Sequence, residues 1–405
     1  MKITSGLVAV LLIYLFYGTY LSRFDVQVLP KELLPPPAPG YHDYRGIINI
    51  HTKTSTGSGS VEEIIQSGQL AGLDFLFITD LNVFDTDQRD RERYADNLLV
   101  FVDGEYSYLN SRLLSLGGKV PTDLAGPSRA QGYFSDLLSQ RRRAEELGLL
   151  ILAHPLKPNY SWSGEFPQGL DGLELVNLKS VWQAGWIRSR LSFLWSLLIF
   201  PFNDRLALLR LFKDPVEEAQ LWDQLATKRP MLAIAGADAE AQIKITDEMR
   251  LKYPSYQTLF SLVSNHLLLR SELTGEIKAD RRKILEALRR GQAYVALDIL
   301  GDPKGFYAQI LGPKGEVYPI GSELTWQEGL ELEVHLPEKP LVPFEIEIYR
   351  NGQRLMQIDS QSTRVPLHLD GNYRVKVRVI PTLPLPDGKQ WIPWIFTNPF
   401  YVKKP

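Results

Sequence analysis

With 405 residues, 44% of them hydrophobic, the chain is long enough for one large domain and a smaller one. A formal charge of −2 lacks the strongly basic balance expected of a nucleic-acid binder, so no nucleic-acid partner is expected. The absence of cysteine excludes disulfides, thiolate metal sites and cysteine nucleophiles, and only six histidines remain to supply imidazole chemistry.

Residues 3–22 (ITSGLVAVLLIYLFYGTYLS) contain an uncharged apolar core from Gly6 to Leu21. A membrane-spanning helix takes about 20 residues and tolerates about 17. Tyr20 and Leu21 stand where a cleavage site would need small residues. Segment 1–24 is therefore expected to be an uncleaved single-pass transmembrane anchor. Lys2 and the amino terminus on one side, against Arg23 offset by Asp25 on the other, place the bulk of the chain outside the cytoplasm at the cell membrane. A spacer over 25–43 follows, with the proline-rich stretch Leu29–Gly40 (LPKELLPPPAPG) expected to be stiff and extended.

From Tyr44 the chain reads YRGIINIHTKTSTGSGSVEEIIQSGQLAGLDFLFITD. The apolar run Gly46–Ile50 predicts a strand that delivers His51. Ser60 with Glu63 three residues later is a capping-box start, Val61, Ile64, Ile65 and Leu70 have helical spacing, and Gly72 closes the helix. A second strand, Phe75–Thr79, delivers Asp80. Further apolar runs at Leu98–Val102, Leu149–Ala153, Leu173–Val176 and Met231–Ala235 alternate with helical patterns, which predicts a parallel α/β sheet or barrel over 44–301.

Residues 182–213 interrupt this rhythm. Leu191–Phe202 (LSFLWSLLIFPF) is apolar but too short to span a bilayer, and it is flanked by Arg188, Arg190, Arg205, Arg210 and Lys213 with Trp182, Trp186 and Trp195 close by. That composition suits an interfacial helix on a lipid bilayer, and equally a buried barrel helix broken at Pro201. After Asp280–Arg290 the pattern becomes strands with turns at Asn351-Gly352 and Asp370-Gly371, predicting a β-sandwich over 302–405.

Several strand ends resemble the motifs of the PHP (polymerase and histidinol phosphatase) domain of metal-dependent phosphoesterases. These are Asn49-Ile50-His51-Thr52, Thr79-Asp80-Leu81, Gly104-Glu105, Ala153-His154-Pro155, Glu174-Leu175-Val176-Asn177 and Gly236-Ala237-Asp238-Ala239-Glu240. The resemblance extends over about 44–405, including the closing segments Asn265-His266 and Thr397-Asn398-Pro399, which look like those of membrane- or envelope-associated members. It implies a distorted (βα)7 TIM-like barrel of α/β class, with strand C-termini carrying the chemistry.

The resemblance also implies metal ligands at Asn49, His51, Glu105 and Asp238, with Glu105 shared with His154. In the third ion site of the family, Thr56, Leu81 and Glu240 occupy the ligand positions, and that site is expected to be lost. The nitrogen and oxygen ligands that survive suit one or two divalent ions, zinc, manganese or iron. Asp80 then serves as a base or orienter, and Arg112 faces an anionic, phosphate-containing substrate. The opposing expectation is a barrel without metal, in which Arg112 neutralises Glu105 or Asp238 and the domain binds an envelope polymer as a scaffold.

Overall fold

Seven strands close on themselves around an apolar interior. In the computed structural model, which describes residues 2–30, 40–84, 91–118, 120, 124, 127–139, 148–244 and 249–405, they are β1 (His42–Ile50), β2 (Phe75–Leu81), β3 (Leu98–Tyr108), β4 (Ser111–Leu116), β5 (Leu149–Ala153), β6 (Gly172–Asn177) and β7 (Leu232–Ala239). They pair in that order, and β1 pairs back onto β7. All neighbours run parallel except β3–β4 and β4–β5.

This corrects the expectation of a TIM-like barrel in which each strand is followed by a helix. β3 turns straight into β4 through Leu109-Asn110, with Tyr108 paired to Ser111 and Leu109 at φ 51°. A two-residue hairpin reverses the strand at once, so no crossover helix is needed there. Helices also cluster instead of alternating. α1 (Lys2–Leu21), α2 (Val61–Leu70) and α3 (Pro127–Ser139) are followed by four, α4 (Leu178–Arg188), α5 (Arg190–Ile199), α6 (Asp204–Leu209) and α7 (Val216–Ala226), all between β6 and β7.

Side chains alternate across a strand with period two, so one parity faces the barrel interior. Ile48, Phe77, Phe101, Leu114, Ile151 and Ile234, drawn from six strands, form one contiguous buried cluster, which only an interior can bring together. Carried towards the same end, that parity reaches Thr79, Glu105, Arg112, Glu174 and Asp238. The interior is thus apolar below and polar above.

The first half of β1 leaves the barrel to pair antiparallel with β8 (Ser264–Leu269), which pairs with β9 (Ala293–Ala296). Amide side chains stitch the resulting gap beside β7. Asn265 exchanges hydrogen bonds with the backbone of Ala235 at 2.8 and 2.8 Å, and Asn398 does so with Ala233 at 2.7 and 3.1 Å. Side-chain amides here replace a missing strand partner.

The rest of the chain is β-rich. β10 (Tyr307–Leu311), β11 (Val317–Pro319), β12 (Glu323–Thr325), β13 (Glu331–His335), β14 (Phe344–Arg350), β15 (Gln353–Ile358), β16 (Ser362–Pro366), β17 (Gly371–Val379), β18 (Ile392–Thr397) and β19 (Phe400–Lys403) form two sheets. One has the order β11-β10-β13-β16. The other joins the barrel sheet through β18 against β9. Arg374 of β17 meets Asp223 of α7 in a buried bidentate pair at 2.7 and 2.7 Å, fixing this sheet to the barrel's helical side.

Among the described residues no helix is long and apolar enough to cross a membrane. The expected transmembrane anchor, and with it the single-pass placement at the cell membrane, is overturned. Polar and small residues (Ser5, Gly6, Gly18, Thr19) interrupt α1, and its C-terminal turns are held by protein. Gly18 lies so close to the Phe202 ring that an added Cβ would be 2.3 Å from it. Tyr14 Oη donates to Leu198 O at 2.9 Å, Tyr17 Oη donates to Leu385 O, and Asn203 Nδ2 donates to Leu21 O at 2.9 Å.

Candidate functional site

Four strand ends bring His51, Glu105, His154 and Asp238 into one buried cluster at the polar end of the barrel. His51 Nε2 lies 3.3 Å from Glu105 Oε2 and 3.4 Å from Asp238 Oδ1, and His154 Nε2 lies 3.2 Å from Asp238 Oδ2. The backbone there departs from regular strand. Asn49, His154 and Asp238 have φ of 69°, 50° and 43°, and the register of β1 slips on both of its neighbours around Asn49. Left-handed residues and bulges at strand ends re-aim side chains, and for any residue other than glycine the conformation carries a cost.

Charge balance in the cluster follows from burial and pairing. Burial alone would lower His51, but the Asp238 and Glu105 carboxylates raise it to about 9. His154 is raised against burial by the same Asp238. Burial would raise Asp238, yet Lys179 and the two imidazoles hold it well below the usual carboxylate range. Glu105 is pushed up by burial.

Glu174, which the sequence reading quoted within a motif but gave no role, organises the floor of the site. Its carboxylate accepts from Asn49 Nδ2 at 2.8 Å, Asn177 Nδ2 at 2.8 Å and the His154 backbone N–H at 3.0 Å. A lone carboxylate in an apolar strand, on the interior parity, was the available signal. Gly236 makes room for it: a Cβ there would lie 1.7 Å from Glu174 Oε1. Gly236→Ala is expected to displace Glu174 and lower stability by about 2 kcal/mol, as over-packing of a close-packed interior does, measured by urea denaturation. An unchanged midpoint would show that the carboxylate can move without cost.

The remaining sequence candidates are held in other ways. Asn49 spends its amide on Glu174 and accepts from Thr79 Oγ1 at 3.4 Å, so it is a scaffold for the site and not a free ligand. Asp80 accepts from Thr52 N and Oγ1, both at 2.7 Å, and from Ser55 Oγ at 2.5 Å. Its oxygens fasten the loop after β1, which leaves it poorly placed as a base. Glu240 pairs with Lys179 Nζ at 2.6 Å, and the same ammonium lies 3.8 Å from Asp238 Oδ1.

Arg112 does not neutralise the cluster. Its guanidinium bonds Ser107 Oγ and lies 5.2 Å from the centre of the Tyr160 ring. Lys157 Nζ lies 4.7 Å from the same ring, which stands 5.9 Å from that of His154. Neither cation pairs with a described carboxylate. Burial lowers Lys157 from its ordinary value.

Donors bound about 2.0–2.2 Å from one tetrahedral ion stand roughly 3.3 Å apart, and the three nitrogen–oxygen separations here are 3.2–3.4 Å. Glu105 Oε1, Asp238 Oδ2 and His51 Nδ1 are buried without a hydrogen-bond partner. Even so, among the described residues no group of three or more His, Cys, Asp or Glu side chains is placed so that it could hold a metal ion. The donor types alone, imidazole nitrogen and carboxylate oxygen, are those a divalent cation accepts. The arrangement seen is that of imidazoles paired directly with carboxylates.

A closed barrel with histidine and carboxylate donors at its strand ends describes a class of site, and solved structures add a loose likeness. No protein-family model matches the chain, and no curated protein does. One solved structure, a two-domain protein containing a predicted PHP-like metal-dependent phosphoesterase from Bacteroides vulgatus ATCC 8482, is 12% identical and superimposes with a TM-score of 0.41 over 90% of this chain and 98% of its own.

Proposed function

We propose that this chain is a metal-dependent hydrolase of phosphate esters, with its ion held by His51, Glu105, His154 and Asp238. The observation that carries the reading is the convergence of these four buried donors, with Glu105 Oε1 left without a hydrogen-bond partner. A divalent ion bound there would supply Lewis-acid polarisation of the phosphoryl group. The protein's own contribution is positional. Arg112 and Lys157, gathered over Tyr160 beside His154, offer phosphate oxygens two cations that pair with no described carboxylate. Lys179 neutralises Glu240 and leans on Asp238, limiting the negative charge that an anionic substrate would meet. In the reaction water adds its oxygen to phosphorus, the ester P–O bond breaks, and the alcohol leaves with a proton.

The test uses full-length protein freed of metal and reloaded with zinc, manganese or iron, with p-nitrophenyl phosphate and its diester as substrates. Binding of an ion and metal-dependent turnover are expected, with His51→Ala and His154→Ala each reducing turnover about a hundredfold or more. Absence of bound metal at saturating concentration, with turnover indifferent to both substitutions, removes the reading.

One observation favours a second reading, a non-catalytic domain that binds an anionic polymer. Lys179 already supplies positive charge at Glu240 and Asp238. Under that reading polymer binding persists in His51→Ala and no ester is turned over.

A further inference from the structure

A cavity of about 1010 Å³ opens from the candidate site. Its polar end is formed by His154, Lys157, Glu174, Lys179 and Glu240. From there it runs between α4, α5 and α6, where its walls are mostly apolar, supplied by Trp182, Ile187, Leu197, Phe200, Leu208 and Leu211, with charged side chains such as Arg188 and Glu218 also on the lining. Pockets for whole drug-sized ligands run to roughly 1,000 Å³, so a phosphate group leaves most of this volume to be filled by something largely apolar. The helices that break the strand–helix rhythm of the barrel are the ones that build this apolar arm. The mouth is apolar too: Ile187 is 72% exposed and Leu191 82% exposed, with Leu194, Leu197 and Leu198 half-exposed beside them. Arg190 lies over the Trp186 ring at 5.5 Å, placing a cation at that rim. α1 reaches the same rim through Tyr14 and Leu198 and exposes Leu11, Leu12 and Ile13.

We infer that the substrate is an amphiphile, a phosphate ester of a long-chain alcohol or lipid. Its phosphate sits against Lys157 at the polar end of the cavity, and its hydrocarbon chain lies in the arm between α4, α5 and α6. This names the substrate class for the hydrolase reading above and rests on it for turnover, though not for binding. A chain in the arm contacts Trp182 and Phe200 and is withdrawn from water, which accounts for apolar walls directly beside a cluster of charges. Exposed leucines at the mouth would meet the remaining alkyl surface of an amphiphile as it enters.

The test is binding to full-length, metal-free protein of butyl, octyl and dodecyl phosphate, each below its micelle concentration, followed by tryptophan fluorescence. Affinity is expected to rise about threefold to fourfold per added methylene until the arm is full. Ile187→Glu and Leu197→Glu, both at solvent-exposed positions, should weaken dodecyl phosphate at least tenfold and leave butyl phosphate unchanged. Lys157→Ala should weaken all three equally. Equal affinity for butyl and dodecyl phosphate overturns the inference, as does a chain-length dependence untouched by both glutamate variants. A flat series alongside metal-dependent turnover of p-nitrophenyl phosphate removes the lipid chain and keeps the hydrolase. A steep, variant-sensitive series without metal binding or turnover does the reverse.

Discussion

Asp238→Asn is expected to be among the most damaging single substitutions in the chain, and damaging in two measurable ways. Asparagine has nearly the same shape and tolerates the left-handed backbone seen at this position, φ 43°. The substitution therefore removes charge and little else. Asp238 faces the buried His51 and His154 at 3.4 and 3.2 Å and the partly exposed Lys179 at 3.8 Å. Removing one partner from buried ion pairs leaves the others uncompensated, at a cost of roughly 3–5 kcal/mol. Urea denaturation at pH 7 should show that loss, and His51 should titrate well below its value of about 9 in the native protein. Cation binding should fall with it, because Asp238 is the carboxylate shared by both histidines. A variant with native stability and native metal content would show that these contacts are incidental.

The sequence carried the first unit of the site with little loss. Ser60 and Glu63 form the capping box that starts α2, the helix ends at Leu70, and Gly72 follows with φ 67°. Every apolar run read as a strand, from Ile47–Ile50 to Met231–Ala235, lies on or overlaps a barrel strand. β4 was missed. Ser111–Leu116 (SRLLSL) carries an arginine and a serine where an interior strand shows hydrophobics, and hairpin geometry is set by the two-residue turn before it. That one reversal removed a helix from the expected pattern and displaced the TIM-like reading. Site roles were less legible than strand ends because hydrogen-bond commitment is a three-dimensional property. Nothing in the spelling of Asn49, Asp80 or Glu240 announces that Glu174, Thr52 and Lys179 have already engaged them. The apolar amino terminus misled for a related reason. Composition reports what a helix could cover, not that Phe202, Leu198 and Leu385 take up its last turns.

Stability is expected to decline between pH 7 and pH 10 because of a buried charge cluster far from the candidate chemistry. His266 of β8 is fully buried, with Nδ1 at 2.9 Å from Asp43 Oδ1, Nε2 at 3.5 Å from Asp298 Oδ1, and its ring stacked on Tyr294 at 4.6 Å. Tyr294 Oη donates to Asp43 Oδ2 at 2.6 Å, and Arg45 Nε reaches Asp298 Oδ2 at 2.8 Å. Burial alone would lower His266, but Asp43 and Asp298 raise it from 6.5 to about 10. A group whose folded value is raised binds its proton more tightly when folded, so its stabilisation is complete below about 6.5 and is lost as pH climbs through about 10. The linked free energy is of the order of a few kcal/mol, at 1.36 kcal/mol per pH unit. Other groups, His51 among them, titrate in the same window, so the difference between native protein and His266→Gln isolates this one. Glutamine keeps a hydrogen bond to Asp43 and loses the charge. The variant should be about 3 kcal/mol less stable at pH 6, where a buried carboxylate has lost its cation, and the gap should narrow steadily towards pH 10. A gap that stays constant with pH would mean that His266 is held neutral between its two carboxylates, and the joint between β1, β8 and β9 would then depend on packing and hydrogen bonds alone.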